Sequence, residues 1–274
     1  MTFRLTLGVA LAVAATSVLA QTPPPAEPVV VSAAVLAPRD ARTVAELRRA
    51  QALFEELRAL SPQGELSFRV LARLNGAQTD RLGPQLVTVS GRIDITLDAL
   101  SRFRLQPQWD ALPPDTEVRS RLRDGGVAWR SDVRTPGLPP NTRRLGDLRL
   151  QCKLDWGVPL GRSGVVPGGS AWVSPARQCE SALTGAMNSQ FADQPVLAID
   201  LVHGARRERL SYFFLHGAGD NLPTRMFSGG TDWAHQLRDH MYRLPLHDRS
   251  WPDDTRVEFT FMDSAFRRST EVLP

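Results

Sequence analysis

Cysteine, lysine and long apolar runs are scarce in this chain, and each scarcity excludes something. The one predominantly apolar stretch of any length runs from Leu5 to Val18, and no later segment approaches the ~20 apolar residues of a bilayer-spanning helix. A soluble mature protein without a transmembrane segment is expected. Lys153 is the single lysine, so all but one of the 33 basic residues are arginine. They form no block of like charge, which reads as a preference for arginine on solvated faces, and such a surface could meet carboxylate or phosphate. Cys152 and Cys179 are the only cysteines, and without a close Cys-x-x-Cys spacing neither a metal site nor a redox pair is indicated. A Gly-x-Ser-x-Gly elbow is missing too. Gly161-Arg162-Ser163-Gly164 and Gly168-Gly169-Ser170-Ala171-Trp172 both depart from it, which disfavours the common serine-hydrolase class.

What is present begins with Arg4, the apolar run, and Val18-Leu19-Ala20 ahead of Gln21, the three-part layout of a cleaved signal peptide. The sequence therefore predicts export with residues 1–20 removed, and a periplasmic or secreted location. Pro23, Pro24, Pro25, Pro28 and Pro38 deny regular helix to residues 21–40, which read as a leader. In an oxidising compartment two cysteines allow one pairing, so a Cys152–Cys179 disulfide is expected.

A Thr-x-x-Glu capping box at Thr43 and Glu46 opens a helix that runs to about Leu60, where Ser61-Pro62-Gln63-Gly64 stops it. Val44, Leu47, Ala50, Phe54 and Leu57 fall on one stripe for packing against a sheet. Beyond it the period changes to alternation. Strand signals are Leu66, Phe68 and Val70; Val87 and Val89 running through a kink at Gly91 into Ile93, Ile95 and Leu97; Phe103 and Leu105; Val118 to Leu122; and Val127 with Trp129. Leu148, Leu150, Cys152, Leu154 and Trp156 alternate most cleanly of all and read as a strand with Cys152 on its apolar face. A Gly- and Pro-rich loop over 157–169 and a short helix over 175–187 follow. Gly204-Ala205-Arg206 then joins strands over 196–203 and 210–215 as a hairpin. A mixed region with helix over 232–241 leads to a last strand through Val257, Phe259 and Phe261. The expected class is mainly β, α+β: an antiparallel β-sandwich-like domain with its amphipathic helix over 41–156, and a second β-rich region with short helices over 157–274, in one domain or two. Pro113-Pro114-Asp115-Thr116-Glu117-Val118 and Pro252-Asp253-Asp254-Thr255-Arg256-Val257 echo one another, each an acidic turn that launches a strand.

His203, His216, His235, His240 and His247 crowd the C-terminal half with Asp200, Asp220 and Asp239, which invites a metal-site reading. Two ligands for one zinc stand four apart on a helix, however, whereas His235 and His240 are five apart and diverge. The glycine-rich His216-Gly217-Ala218-Gly219-Asp220-Asn221 lacks full dinucleotide spacing and reads as a turn. Trp109, Trp172, Trp233 and Trp251 lie outside clean alternation, as candidates for stacking on sugars or a partner or for packing under loops; Trp129 and Trp156 read as core. No catalytic, metal or cofactor residue is assigned.

Val89-Ser90-Gly91-Arg92-Ile93-Asp94-Ile95, Phe103-Arg104-Leu105 and Leu112-Pro113-Pro114-Asp115-Thr116 resemble the transthyretin-like or carboxypeptidase-regulatory-like β-sandwich, where a glycine-bearing strand leads to a Phe-containing one and a proline turn. Arg134-Thr135-Pro136-Gly137-Leu138-Pro139 with Arg144-Leu145-Gly146-Asp147-Leu148-Arg149-Leu150 is similar to exported proteobacterial proteins of unknown function. The resemblance covers about the middle third of the chain, implies an accessory or interaction module, and carries no catalytic residue across. The functional expectation is a non-catalytic periplasmic binding or accessory protein acting on an envelope protein or polymer, with no nucleic-acid partner. Its alternative is a periplasmic metal-dependent hydrolase drawing on the histidines and aspartates between Asp200 and Asp248.

Overall fold

The structure is a computed structural model that describes residues 41–72, 82–122, 126–158, 179–180, 190–216 and 240–262. The expected signal peptide, leader and polar tail fall outside the described residues, as do all but a few positions of the expected loop over 157–169 and the expected helices over 175–187 and 232–241. All described residues belong to one unit, Val35–Pro274. Among them the fold is mainly β, with antiparallel sheets and few helices.

Thr43 caps the first helix as its spacing predicts. Its hydroxyl accepts from Glu46 N at 3.1 Å, and Thr43 N donates to the Glu46 carboxylate at 2.8 Å. A short strand β1 (Ala41–Thr43) leads into this helix, α1 (Val44–Glu56), which buries Val44, Leu47, Ala50 and Phe54. Each such side chain, fully buried, contributes roughly 1.5–3 kcal/mol where it is large. The stripe packs on β2 (Glu65–Ala72) and β7 (Val127–Arg134), joining Phe68, Val70, Trp129 and Val133 in one core. Between them lie β3 (Pro84–Thr88), β4 (Gly91–Asp94), β5 (Arg102–Phe103) and β6 (Glu117–Ser120).

The segment from Val87 to Leu97 is not one kinked strand. Val89 and Ser90 form a two-residue turn, and Gly91, at φ +136°, opens the returning strand in a backbone region that L side chains rarely enter. Of the stretch Val89–Ile95, Gly91–Asp94 is strand β4 and Val89-Ser90 is the turn that precedes it.

The second group comprises β8 (Thr142–Arg144), α2 (Leu145–Gly157), β9 (Gln190–Phe191), β10 (Val196–His203), β11 (Arg206–Leu210), a short helix α3 (Tyr212–His216), β12 (Met241–Tyr242) and β13 (Arg256–Phe261). The expected strand over 148–156 is the helix α2. Its alternation is misleading because nearly every side of this helix is covered, so polar residues between the leucines are buried with partners. Asp147 accepts from Ser61 and Thr135, Arg149 donates to backbone carbonyls, Gln151 donates to Gln190, and Asp155 accepts from Ser131. With no wet face the 3.6-residue period disappears from the sequence. Leu148 and Cys152 enter one core while Leu150 and Leu154 enter the other, so α2 is shared by both. A boundary at 156/157 thus does not divide the cores. The hairpin after Val196–His203 forms, but its second strand is Arg206–Leu210, and Tyr212–His216 is helical. Cys152 and Cys179 are bonded, with Cα atoms 6.0 Å apart.

Two four-stranded sheets carry the same plan. One has the order β1-β6-β3-β4, the other β8-β13-β10-β11, and every neighbour pair is antiparallel. Two smaller sheets, β5-β2-β7 and β12-β9, repeat the pairing of the strand after the helix with the strand before the acidic turn. The echoed phrases explain the match: each acidic turn receives the N-terminus of a helix. Val44 N donates to Thr116 O at 2.8 Å and Leu145 N to Thr255 O at 2.9 Å; Ala45 N donates to Pro114 O at 3.0 Å and Gly146 N to Asp253 O at 2.8 Å. These bonds satisfy amides that a helix start leaves without an internal acceptor.

Candidate ligand cleft

Strand β2 is buried on both faces, so a polar residue within it needs internal partners. Ser67 donates to Asp132 O at 3.2 Å, and Arg69 is the buried charged residue. It stands directly opposite Arg102 on one side and Arg130 on the other, three like charges in a row across the sheet. Carboxylates offset each of them: Asp98 and Asp132 lie at 2.8 and 3.9 Å from Arg102, Asp193 at 3.0 Å from Arg69, and Asp155 at 3.1 Å from Arg130.

Arg134, at the end of β7, ties this row together. It grips Asp193 through both oxygens at 2.7 and 2.8 Å and Asp132 through both at 2.9 and 3.1 Å. Such paired, planar contacts are the strong kind that a guanidinium makes and an ammonium cannot. Arg143 of β8 completes the group, donating to Val133 O at 2.5 Å and Gln151 Oε1 at 3.0 Å, with Asp132 at 3.4 Å. Counting Arg69, Arg134 and Arg143 against Asp132 and Asp193 leaves one positive charge in excess. Burial pushes Asp132 upward, but Arg143, Arg134 and Arg69 outweigh it and hold the carboxyl at about 2. Burial likewise opposes ionisation of Asp193 and of Arg134, and in both the mutual pairing prevails: the carboxyl lies below its ordinary range and the guanidinium above its own.

One side of this group opens into a cleft whose lining includes Arg134, Arg143, Asp193, Tyr242 and Phe259. Its free volume is about 10 Å³, the room of one water-sized group. Tyr242 is 1% exposed, and its hydroxyl sits within the fields of Arg143, Asp193, Arg134 and Asp132. Burial raises that phenol above its ordinary pKa, so it is a neutral donor at any physiological pH. Neither the Tyr242 hydroxyl nor Arg143 Nε has a hydrogen-bond partner among the described residues. Two buried donors thus sit beside a small opening with a positive surplus, an arrangement suited to receiving one oxygen atom of an acceptor.

The histidines and aspartates of the metal-site alternative that lie among the described residues are not grouped together. His203 is exposed and pairs with Asp254 at 3.3 Å. His216 Nε2 contacts Val196 O at 2.9 Å, and His240 Nδ1 contacts Ala192 O at 3.4 Å. His247 is turned inward with its Nδ1 buried, and Asp200 pairs with Arg207 at 3.6 Å. His235, Asp220 and Asp239 lie outside the described residues. Among the described residues no three histidine, cysteine, aspartate or glutamate side chains are grouped to hold a metal ion. Trp109, Trp129 and Trp251 are all buried, the last under the Arg206 guanidinium at 3.6 Å from the ring centre, and Trp156 packs half-buried on the second core. Trp172 and Trp233 lie outside the described residues. Among the described residues no helix is long and apolar enough to cross a membrane.

The cleft residues escaped the reading of the sequence because they come from four strands and two loops and share no motif. Arginine and aspartate inside otherwise apolar strands, at Arg69 and Asp132, were the available signal. No family model matches the chain, and comparison with curated proteins and with solved structures finds no match.

Proposed function

We propose that this is a non-catalytic binding or accessory protein that works outside the cytoplasm on an envelope protein or polymer. The observation that carries the reading is the state of its charged groups. Arg69, Asp132, Arg134, Arg143 and Asp193 are spent on one another, which suits a rigid support beneath a recognition surface, while the opening beside them admits a single atom group and leaves no room for a substrate to be enclosed. The bonded Cys152–Cys179 pair accords with an oxidising compartment. The resemblance to β-sandwich accessory modules points the same way.

The test is co-sedimentation of the purified protein with murein sacculi and with outer-membrane vesicles, followed by mass analysis of the polymer, beside crosslinking in intact cells. Saturable retention on one envelope component with its mass unchanged is expected. A polymer altered in mass, or no retention and no envelope crosslink, overturns the reading.

A further inference from the structure

The two matched sheets agree residue by residue. Thr43 faces Glu117 and Arg42 faces Val118 across β1 and β6; Arg144 faces Arg256 and Arg143 faces Val257 across β8 and β13. Leu86 lies between Val118 and Ile93, as Leu201 lies between Val257 and Glu208. Both hairpins turn over two residues, Thr88 closing on Gly91 and His203 on Arg206. Arg48 on α1 donates to Trp109 O, and the corresponding Arg149 on α2 donates to Asp248 O at 2.6 Å. These equivalences align residues 41–57, 84–95 and 102–120 with 142–158, 199–210 and 241–259, each block without a gap. Within them Arg42, Leu47, Arg48 and Leu53 match Arg143, Leu148, Arg149 and Leu154; Arg104, Leu105, Pro113, Asp115, Thr116 and Val118 match Arg243, Leu244, Pro252, Asp254, Thr255 and Val257. Common turn chemistry explains a shared acidic turn, but not a shared sheet order, register and helix–loop hydrogen bond together.

The alignment also shows where the copies part. Phe103 stands where Tyr242 stands, and it is packed among rings, with Phe68 at 5.7 Å and Trp109 and Trp129 at 6.1 Å. Ser120 stands where Phe259 stands, the ring that meets Tyr242 edge-on at 5.2 Å in the wall of the cleft. A buried hydroxyl without a partner is destabilising, so its presence in one copy and not in the other asks for a use.

We infer that the chain is a tandem duplication of one unit, a strand and a helix followed by five strands, and that the Tyr242 cleft, found in the second copy alone among the described residues, receives one oxygen of a carboxylate. The inference rests on the binding role proposed above and names its chemistry. The Tyr242 hydroxyl and Arg143 Nε–H donate to that oxygen, the surplus positive charge favours an anion, and a flat carboxylate can lead with one oxygen into a space for one group, where the remaining oxygens of a tetrahedral phosphate would crowd the walls around the opening. The rest of the ligand, a chain end or an acidic side chain, lies outside.

Full-length protein carrying ¹⁵N-arginine, titrated with sodium acetate and separately with inorganic phosphate, tests this directly. A saturable shift of the Arg143 Nε–H resonance with acetate and none with phosphate is expected. An equal response to phosphate, or no response with only an ordered water bound to Tyr242, overturns the assignment. Tyr242→Phe, which restores the residue of the first copy, is expected to weaken acetate binding at least tenfold while Tm is unchanged or raised. A Tm lowered by several degrees overturns it by showing a structural bond to the hydroxyl. Phe103→Tyr is expected to lower Tm and create no acetate site; unaltered Tm overturns the claimed difference between the copies. Retention of Tyr242→Phe on the envelope component as strongly as the parent would sink the cleft assignment and leave the broader function standing, whereas acetate binding without any envelope partner would do the reverse.

Discussion

The first motif keeps the carboxylate that closes its helix half-buried, and the second buries its own completely. In the first, Thr43 and Glu46 cap α1 reciprocally, in a half-buried setting. Arg144 has no acceptor atom, so α2 has only the return bond, Arg144 N to Asp147 at 3.4 Å, and Asp147 is fully buried. That carboxylate takes up three further donors instead: Ser61 Oγ at 2.5 Å, Thr135 N at 2.9 Å and Thr135 Oγ1 at 2.9 Å. The same position thus closes one helix in one motif and joins two motifs in the other. The contrast teaches that a capping residue becomes a structural hub when tertiary packing supplies it with non-local donors.

The largest test of this contrast is the pair Asp147→Ala and Glu46→Ala. Removing Asp147 strands buried donors and should cost about 3–5 kcal/mol by analogy with a broken buried charged network, while Glu46→Ala should cost about 1 kcal/mol, as lost caps do. Denaturant melts measure both, and equal losses would erase the distinction. Next comes the disulfide. Reduction or Cys179→Ser should cost roughly 3 kcal/mol, given a sequence separation of 27, and hydrogen exchange should show the loss concentrated in the second core, which holds both cysteines. Uniform loss of protection would contradict this.

Gly146→Ala is expected to cost about 2 kcal/mol, because an added Cβ would lie 2.0 Å from Leu60 O and 2.9 Å from Asp253 Cβ. The first motif already carries Ala45 at this place, so Ala45→Gly should cost less than ~1 kcal/mol. Similar melts for the two would show that the helices approach their turns alike. Acid is the mildest probe. Asp132, held at about 2 against an ordinary 3.8, contributes stability that is complete above about pH 4 and is lost as the pH falls toward 2, about 2 kcal/mol in all. Asp193 adds in the same direction, and Asp155, raised by burial despite Arg130 and Ser131, opposes them. Exchange measured from pH 5 to pH 2 should open the region around Arg134 before the α1 face; the reverse order would place the acid-sensitive charges elsewhere.

Legibility followed exposure. The α1 stripe, β6 and β13 were readable because a wet face marks the period, and β2 and the strand Val196–His203, though largely buried, because a sharp turn marks one end of each. Leu148 to Trp156 was not, since packing on all sides of α2 replaced helical periodicity with an alternation that mimics a strand. The hairpin at Val89 was hidden by apolar residues running through its turn, Val89 itself being fully exposed. The cleft was legible only as stray charges, because Arg69, Arg134, Arg143, Asp193 and Tyr242 meet through pairings between distant strands.

What the amino-acid order settled unaided was local: the capping box at Thr43, the alternating strands, the acidic turns at Asp115 and Asp254, and the one partner available to each cysteine. These depend on neighbours within a few residues or on simple counting. Which helix lies between two cores, which arginines face one another across β2, and which hydroxyl lacks a partner were decided by tertiary structure. Burial and charge pairing over long sequence distances set those outcomes, and local propensity carries no record of them.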